Sequence, residues 1–143
     1  MSIGAGTGIV LVDDDPDQLL LCRMALQQQA GAAVTVSTYA CPMKALEALS
    51  AEPAPDLIAV DVHMAPISGP QLVRRLRACT QFSAVPIVML SSSDLAKDLE
   101  AARAAGATGY LLKPSGEAGW ADVATRILGG WSDANLLRHE PRH

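Results

Sequence analysis

Short apolar runs alternate with longer amphipathic segments along most of the chain. The apolar runs predict five β-strands, at residues 9–13, 33–38, 56–61, 85–91 and 109–113. The segments that follow them predict five α-helices, at residues 17–30, 42–51, 70–79, 94–105 and 117–129. Strands and helices that alternate in this way are typical of an α/β protein built on a parallel sheet.

Residues that favour helix ends support these boundaries. Pro16, Pro42 and Pro70 each fall in the first turn of a predicted helix, where a missing N–H group costs nothing. Asp94 is a candidate N-cap for the fourth helix, and Gly106 is a candidate stop. The third and fourth strands contain the continuously apolar runs LIAV and PIVML. Such runs indicate an interior sheet with helices on both faces.

The composition fits one ordered domain. The chain has 143 residues, of which 50% are hydrophobic and 3% aromatic, so the core is expected to consist of Val, Leu, Ile, Ala and Met. We assign the domain to residues 9–129, with a flexible segment at 1–8 and a short tail at 130–143. The GAGTG sequence in the first segment precedes a strand rather than following one, so it does not predict a dinucleotide-binding loop.

Charge and cysteine content exclude several classes of protein. The net charge of −4 predicts no contact with nucleic acid, and Arg74, Arg75 and Arg77 are interpreted as a solvated helix face. The three cysteines are widely spaced and are expected to be reduced thiols of a cytoplasmic protein. Neither secretion nor membrane insertion is expected, because MSIGAGTG lacks a basic region followed by an apolar stretch and no apolar stretch approaches the length of a membrane span.

The first predicted helix carries more apolar residues than one core-facing stripe needs. Seven of them fall between residues 19 and 26. Two interpretations remain open: the extra side chains fill the core, or some of them form a docking surface.

Polar side chains follow the predicted strands at their carboxyl ends. These are Asp13, Asp14 and Asp15 after the first strand, Asp61 after the third, Ser91, Ser92 and Ser93 after the fourth, and Lys113 after the fifth. Because ligands of open parallel sheets bind at this edge, the side chains are expected to converge. Carboxylates suit Mg²⁺, a strand-end aspartate can attack phosphorus, and a lysine and a hydroxyl can neutralise a transferring phosphoryl group.

Four motifs, in this order, resemble those of the receiver domain of two-component response regulators. They are VLVDDDP, DLIAVDVHM, PIVMLSS and AAGATGYLLKP. The 30 residues from Asp61 to Ser91 and the 52 from Asp61 to Lys113 also agree with the family pattern. The resemblance covers about residues 8–129 and is to single-domain, chemotaxis-regulator-like members of the family. It implies a flavodoxin-like (βα)5 fold with five parallel strands in the order 2-1-3-4-5 and helices on both faces.

The resemblance also implies roles for the acidic residues. Asp61 matches the phosphoacceptor, and Asp13 and Asp14 match the residues that hold Mg²⁺ together with it. His63 is expected to contribute its backbone carbonyl to the metal, with its ring facing solvent. Asp15 is interpreted as the N-cap of the first helix.

The later motifs imply a switch. Ser91 resembles the family's switch hydroxyl, Tyr110 its switch aromatic residue and Lys113 its phosphate-contacting lysine. The Lys113–Pro114 peptide bond is expected to be cis, a form that X–Pro bonds adopt at little cost. Phosphorylation would then alter the surface formed by the fourth helix, the fifth strand and the fifth helix.

Two departures from the family pattern lie near the site. Ala65 stands where the family usually has proline, and Pro66 follows it, although Gly69 keeps its place. The loop after Asp61 is therefore expected to take a different turn. Ser115 stands where an aromatic residue is usual, which affects the packing expected for the fifth helix.

The resemblance predicts a stand-alone cytoplasmic response regulator acting in phosphorelay signal transduction. It would accept a phosphoryl group from a sensor histidine kinase or a histidine phosphotransfer protein and pass the signal to an unidentified protein target. Such a protein catalyses its own phosphorylation and dephosphorylation and is not a conventional enzyme. The sequence leaves homodimer formation open.

Two other functions compete with this prediction. A haloacid-dehalogenase-type phosphatase would use Asp13 and Asp15 as its D-x-D motif. It needs a further acidic pair after Lys113, where Asp122 lies inside a predicted helix, and it leaves Asp61 without a role. A pseudo-receiver that serves as an interaction module is the third option, suggested by the altered turn after the acceptor.

Overall fold

A five-stranded parallel sheet forms the centre of the protein, as described by a computed structural model for residues 6–129. Its strands are β1 (Thr7–Val12), β2 (Val34–Tyr39), β3 (Leu57–Asp61), β4 (Ile87–Ser91) and β5 (Gly109–Leu112). They are hydrogen-bonded in the order β2-β1-β3-β4-β5, and every neighbouring pair is parallel. The predicted fold class and strand order are confirmed. The predicted tail at 130–143 and residues 1–5 of the predicted flexible segment lie outside the described residues.

Helices cover both faces of this sheet. They are α1 (Pro16–Ala30), α2 (Pro42–Ala51), α3 (Gly69–Arg77), α4 (Ala96–Ala105) and α5 (Trp120–Leu128). Buried residues of α1 and α5 form one apolar cluster with the sheet, and those of α2, α3 and α4 form a second cluster on the opposite face. Within residues 6–129, no helix combines the length and apolarity needed to cross a membrane.

The central strand β3 explains why the sequence shows no alternation there. All five of its residues are buried. Ile58 and Val60 pack into the cluster with α2, α3 and α4, whereas Leu57 and Ala59 pack into the cluster with α1 and α5. Successive side chains point to opposite faces of a strand, and here helices cover both faces, so the four positions before Asp61 need apolar residues.

The surplus apolar residues of α1 are divided between core and surface. The buried residues of this helix are Leu19, Cys22, Ala25 and Leu26. Leu20 and Met24, one turn apart, are 47% and 46% exposed. Not all of the surplus therefore fills the core.

Several predicted element ends differ from the structure by one to three residues, including the starts of β1 and α4. β1 begins at Thr7, so Thr7 and Gly8 of the predicted flexible segment pair with β2 instead. The N-cap of α4 is Leu95, not Asp94. The loop continues past Asp94 because the hydroxyl of Ser93 accepts a hydrogen bond from the backbone N–H of Leu95 at 3.1 Å. A serine hydroxyl bonded two residues ahead forms a turn that competes with a helix start.

The predicted cis bond at Lys113–Pro114 is wrong. The cis X–Pro peptide bond in the described residues joins Ala65 and Pro66, in the loop that departs from the family pattern. Cis and trans X–Pro bonds differ by only about 0.5–1 kcal/mol, so tertiary context rather than local sequence selects the isomer.

Arg77 does not lie on a solvated helix face as predicted. It is half-buried, and its guanidinium donates to the carbonyls of Phe82 (2.6 Å), Val85 (2.8 Å) and Gly106 (2.9 Å) and to the hydroxyl of Thr108 (3.0 Å). The first two acceptors precede β4 and the last two precede β5. Arg77 therefore joins α3 to the loops that enter two neighbouring strands.

Replacing Arg77 with lysine is expected to destabilise the protein. A single ammonium cannot reach acceptors in both loops as a planar guanidinium does, and carbonyls left unpaired make unfolding easier by about 2–3 kcal/mol. Urea denaturation would measure the free energy of unfolding. Arg75→Lys, on an exposed position of the same helix, is the control and should change it by less than about 0.5 kcal/mol. Equal stability of the two variants would contradict the structural role of Arg77.

Candidate functional site

Three aspartates gather at the carboxyl edge of the sheet. Asp13 follows β1 and Asp61 is the last residue of β3; they are 5% and 6% exposed, whereas Asp14 is exposed. Each offers a carboxylate oxygen, and the three oxygens lie within 4.8 Å of one another. These residues are called the acidic cluster below. A set of oxygen ligands with one open side fits a hard divalent cation that keeps several of its waters.

Lys113, just after β5, lies against the acidic cluster. Its Nζ atom is 2.7 Å from Oδ2 of Asp13 and 2.9 Å from Oδ1 of Asp61, and the lysine side chain is 6% exposed. The same ammonium donates a hydrogen bond to Oε1 of Gln18 in α1. Gln18 is a site residue that the sequence motifs did not predict.

The site contains more negative than positive charge. Burial raises the pKa of Asp61 above its ordinary value, although the hydrogen bond from Lys113 acts in the opposite direction. Burial alone would lower the pKa of Lys113, but the hydrogen bonds to Asp13 and Asp61 outweigh it, and that pKa is raised. One ammonium thus faces two buried carboxylates and one exposed carboxylate. The excess negative charge favours the binding of a second cation.

The three aspartates after β1 have different structural roles. Asp15 is the N-cap of α1, as predicted: its carboxylate accepts from the N–H groups of Asp17 (3.0 Å) and Gln18 (3.4 Å). The N–H of Asp15 in turn donates to Oδ1 of Asp13 at 2.9 Å. This bond orients the Asp13 carboxylate, so that its other oxygen meets Lys113.

Gly69 allows α3 to begin directly against the end of β3. A Cβ atom on this residue would lie 2.1 Å from the carbonyl oxygen of Asp61 and 2.9 Å from Cα of Val62. The N–H of Gly69 donates to the carbonyl of Val62 at 2.8 Å. The close approach persists although Ala65 and Pro66 alter the preceding loop, and it accounts for a glycine at this position.

Ser91 and Tyr110 both contact Ser93 in the loop after β4. Ser91 is fully buried, and its hydroxyl accepts from the N–H of Ser93 at 3.0 Å. Tyr110 is 3% exposed and donates its hydroxyl to the carbonyl of Ser93 at 2.7 Å; burial raises the pKa of this tyrosine. Ser91 also follows Leu90, the register partner of Asp61. The two predicted switch residues therefore share a contact with one loop residue, Ser93.

The ring of His63 contacts the start of α4. Its Nε2 atom is 3.2 Å from Oδ2 of Asp98, and the side chains are 62% and 10% exposed. The ring is largely in solvent, as expected, but its contact with Asp98 was not predicted from the sequence. The contact between His63 and Asp98 depends on the rotational phase of α4, which places Asp98 on the side facing the loop after β3.

The chain resembles several proteins of known family. Residues 9–122 match the response regulator receiver domain. The chain is 37% identical over 106 residues to an uncharacterized 14.6 kDa protein in the sodA1 3′ region of Leptolyngbya boryana, covering 74% of this chain and 78% of that protein. Some relatives are much longer: the chain spans 10% of one sensor histidine kinase and 46% of one transcriptional regulatory protein.

Solved structures show the same fold. The chemotaxis response regulator CheY4 of Vibrio cholerae aligns with a TM-score of 0.74 and 27% identity, covering 87% of this chain and all of that one (100%). The receiver domain of the sensor histidine kinase PA1611 from Pseudomonas aeruginosa aligns with a TM-score of 0.70 and 28% identity, covering 88% and 100%. That receiver domain was solved with a magnesium ion coordinated in its active site cleft.

Sequence, fold and site geometry agree. The match extends from β1 into α5 and includes the whole acidic cluster. The phosphatase alternative is not favoured, because Asp122 lies on the exposed side of α5 and pairs with Arg126 one turn away at 3.2 Å. The chain belongs to the response regulator receiver domain family of two-component signal transduction.

Proposed function

We propose that Asp61 is the phosphoacceptor and that Asp13, Asp14 and Asp61, with the backbone carbonyl of His63, hold Mg²⁺ beside it. The observation that carries this proposal is the position of the Asp61 carboxylate, which lies within 4.8 Å of the other two carboxylates and 2.9 Å from the Lys113 ammonium. A nucleophilic carboxylate, a cation site and a fixed positive charge therefore share one edge of the sheet.

In the proposed reaction a carboxylate oxygen of Asp61 attacks the phosphorus atom of a phosphohistidine. The P–O bond forms as the P–N bond breaks, and the electron pair passes to the imidazole nitrogen of the donor. Lys113 stabilises the charge on the phosphoryl oxygens, and the hydroxyl of Ser91 donates a hydrogen bond to one of them. When bound, Mg²⁺ supplies further positive charge at the same oxygens.

The proposed switch begins at Ser91. When its hydroxyl turns toward the phosphoryl group, it gives up the hydrogen bond from Ser93, whose carbonyl is also the acceptor for Tyr110. Movement of this loop changes the position of Tyr110 and of the start of α4. The surface formed by α4, β5 and α5 is thus biased between two states.

The proposed phosphoryl donor is a sensor histidine kinase or a histidine phosphotransfer protein. Receiver domains of sensor kinases among the related proteins support this assignment. The proposed activity is limited to the protein's own phosphorylation and dephosphorylation, with the signal passed to a protein target. The surface formed by α4, β5 and α5 is also a proposed site for homodimer formation.

Incubation with acetyl phosphate and Mg²⁺ tests this function. Intact mass should show one phosphoryl group per chain, stable to acid and labile to base, and peptide mapping should place it on Asp61. Chelation of Mg²⁺ before the reaction should prevent labelling, because the carboxylates then repel the phosphate donor.

The competing functions predict different results. A phosphatase would carry the label on Asp13 and turn over a small phosphate ester. An interaction module would show no label with any donor, and it would not respond to beryllofluoride. Either result would contradict the proposed role of Asp61.

A further inference from the structure

Gln18 is a residue of the site that the proposed phosphoryl transfer leaves without a role. It lies in the first turn of α1, where its backbone N–H donates to the capping carboxylate of Asp15 at 3.4 Å. Its side chain is half-buried and lines a small cavity together with Asp13 and Trp120. The helix cap therefore holds Gln18 beside the acidic cluster.

The amide of Gln18 completes the hydrogen bonding of the Lys113 ammonium. An ammonium has three N–H donors and no acceptor. Lys113 is 2.7 Å from Asp13 and 2.9 Å from Asp61, and it also donates to Oε1 of Gln18. Two of these acceptors are charged members of the acidic cluster, whereas the third is neutral and belongs to a helix.

The two charged acceptors of Lys113 are also two of the three carboxylates that are proposed to hold Mg²⁺. A divalent cation needs carboxylate oxygens as direct ligands, and it is repelled by an ammonium bonded to the same oxygens. Loading the site therefore requires Lys113 to give up part of its contact with Asp13 and Asp61. A buried ammonium that loses acceptors pays a desolvation cost unless another acceptor remains.

We propose that Gln18 is a positioning residue that keeps Lys113 in the site when Asp13 and Asp61 bind Mg²⁺. The inference rests on the proposed Mg²⁺-dependent function. The neutral amide does not compete for the metal, but it retains the ammonium next to the position of the phosphoryl group. Gln18 thereby lowers the cost of moving Lys113 and strengthens the binding of Mg²⁺.

Removal of the amide should weaken Mg²⁺ binding. Without Gln18 the ammonium depends on Asp13 and Asp61 alone, so it competes more strongly for them. The loss of one hydrogen bond to a charged group predicts a rise in the Kd for Mg²⁺ of about ten- to hundredfold in Gln18→Leu. Gln18→Glu keeps an acceptor oxygen at the same place and adds negative charge, so it should bind Mg²⁺ at least as tightly as the wild type.

The Kd for Mg²⁺ can be measured without any phosphoryl donor. Trp120 lines the same cavity as Gln18 and Asp13, so its fluorescence is a local reporter once Trp131 is replaced by phenylalanine. The rise of the thermal unfolding midpoint with Mg²⁺ concentration gives a second, independent Kd. Thermal unfolding in a chelator shows that each variant folds, and Gln18→Met, with an unbranched side chain, is measured beside Gln18→Leu.

Gln28→Leu is the matched control, because Gln28 is an exposed glutamine in the same helix, ten residues further along. A rise in Kd confined to Gln18→Leu and Gln18→Met would support the inference. An unchanged Kd in both, or an equal rise in Gln18→Glu or Gln28→Leu, would overturn it while leaving the proposed function intact. A wild-type protein that shows no response to Mg²⁺ would overturn both the inference and the proposed metal site.

Discussion

Replacing Asp61 with asparagine is expected to abolish phosphorylation by acetyl phosphate, since an amide cannot form the acyl phosphate. Asparagine has nearly the same shape and can still accept the hydrogen bond from Lys113, so the fold should be retained. Intact mass after incubation with Mg²⁺ measures the phosphorylated fraction. Asp17→Asn, an exposed aspartate in the first turn of α1, is the control and should be labelled like the wild type. Residual labelling of Asp61→Asn on Asp13 would contradict the assignment.

The same variant tests the electrostatics of the site in the absence of metal. Because burial raises the pKa of Asp61, the folded protein binds a proton on this residue more readily than the unfolded chain does. The charged form therefore costs stability above the folded pKa, and this cost disappears as the pH falls through it. Relative to Asp61→Asn, the wild type should gain stability with falling pH, until the ordinary pKa of an unfolded aspartate is reached. Urea denaturation at several pH values in a chelator measures this difference.

Replacing Lys113 with methionine is expected to have the largest effect on stability. The ammonium lies between Asp13 and Asp61, whose side chains are each 8% exposed. Its removal leaves two buried carboxylates side by side without a counter-charge. Removal of one partner of a buried ion pair costs about 3–5 kcal/mol. The free energy of unfolding should therefore fall by that amount in metal-free buffer at neutral pH. Lys97→Met, at an exposed position of α4, is the control and should have little effect.

Restoring positive charge or removing negative charge should rescue Lys113→Met. Mg²⁺ should raise its stability more than it raises that of the wild type, because no ammonium competes for the carboxylates. A second change, Asp61→Asn, should recover part of the loss by removing one carboxylate. Stability should also rise as the pH falls, since protonation relieves the repulsion. If neither Mg²⁺ nor the second substitution restores stability, the loss is due to packing and not to charge.

Much of the fold could be predicted from short-range patterns. The runs LIAV and PIVML predicted interior strands because a strand covered on both faces needs apolar residues on each face, and the LIAV residues of β3 are all buried. Pro16 and Pro42 lie in the first turn of their helices and Gly106 ends α4, as predicted, because each of these signals depends on one residue. The Asp94 cap was wrong because a neighbouring serine hydroxyl forms a competing turn.

The candidate site could be predicted in part, for a topological reason. Parallel strands end at the same edge of a sheet, so residues that follow different strands, such as Asp13, Asp61 and Lys113, are brought together wherever they lie in the sequence. The predicted roles of these residues came from the resemblance to receiver domains. The contacts that orient them came from other elements and had no short-range pattern.

By itself, the sequence determined the order and burial of the strands and which polar residues lie at the carboxyl edge of the sheet. Those properties depend on side-chain type over a few positions. Only the tertiary structure decided the partners of these residues. Gln18 reaches Lys113 from 95 positions away, and Asp98 reaches His63 from 35. The guanidinium of Arg77 donates hydrogen bonds to two loops, whereas Leu20 and Met24 remain at the surface. Each of these outcomes depends on the rotational phase of a helix and on the rotamer of a long side chain, which are set by packing across the sheet and not by neighbouring residues.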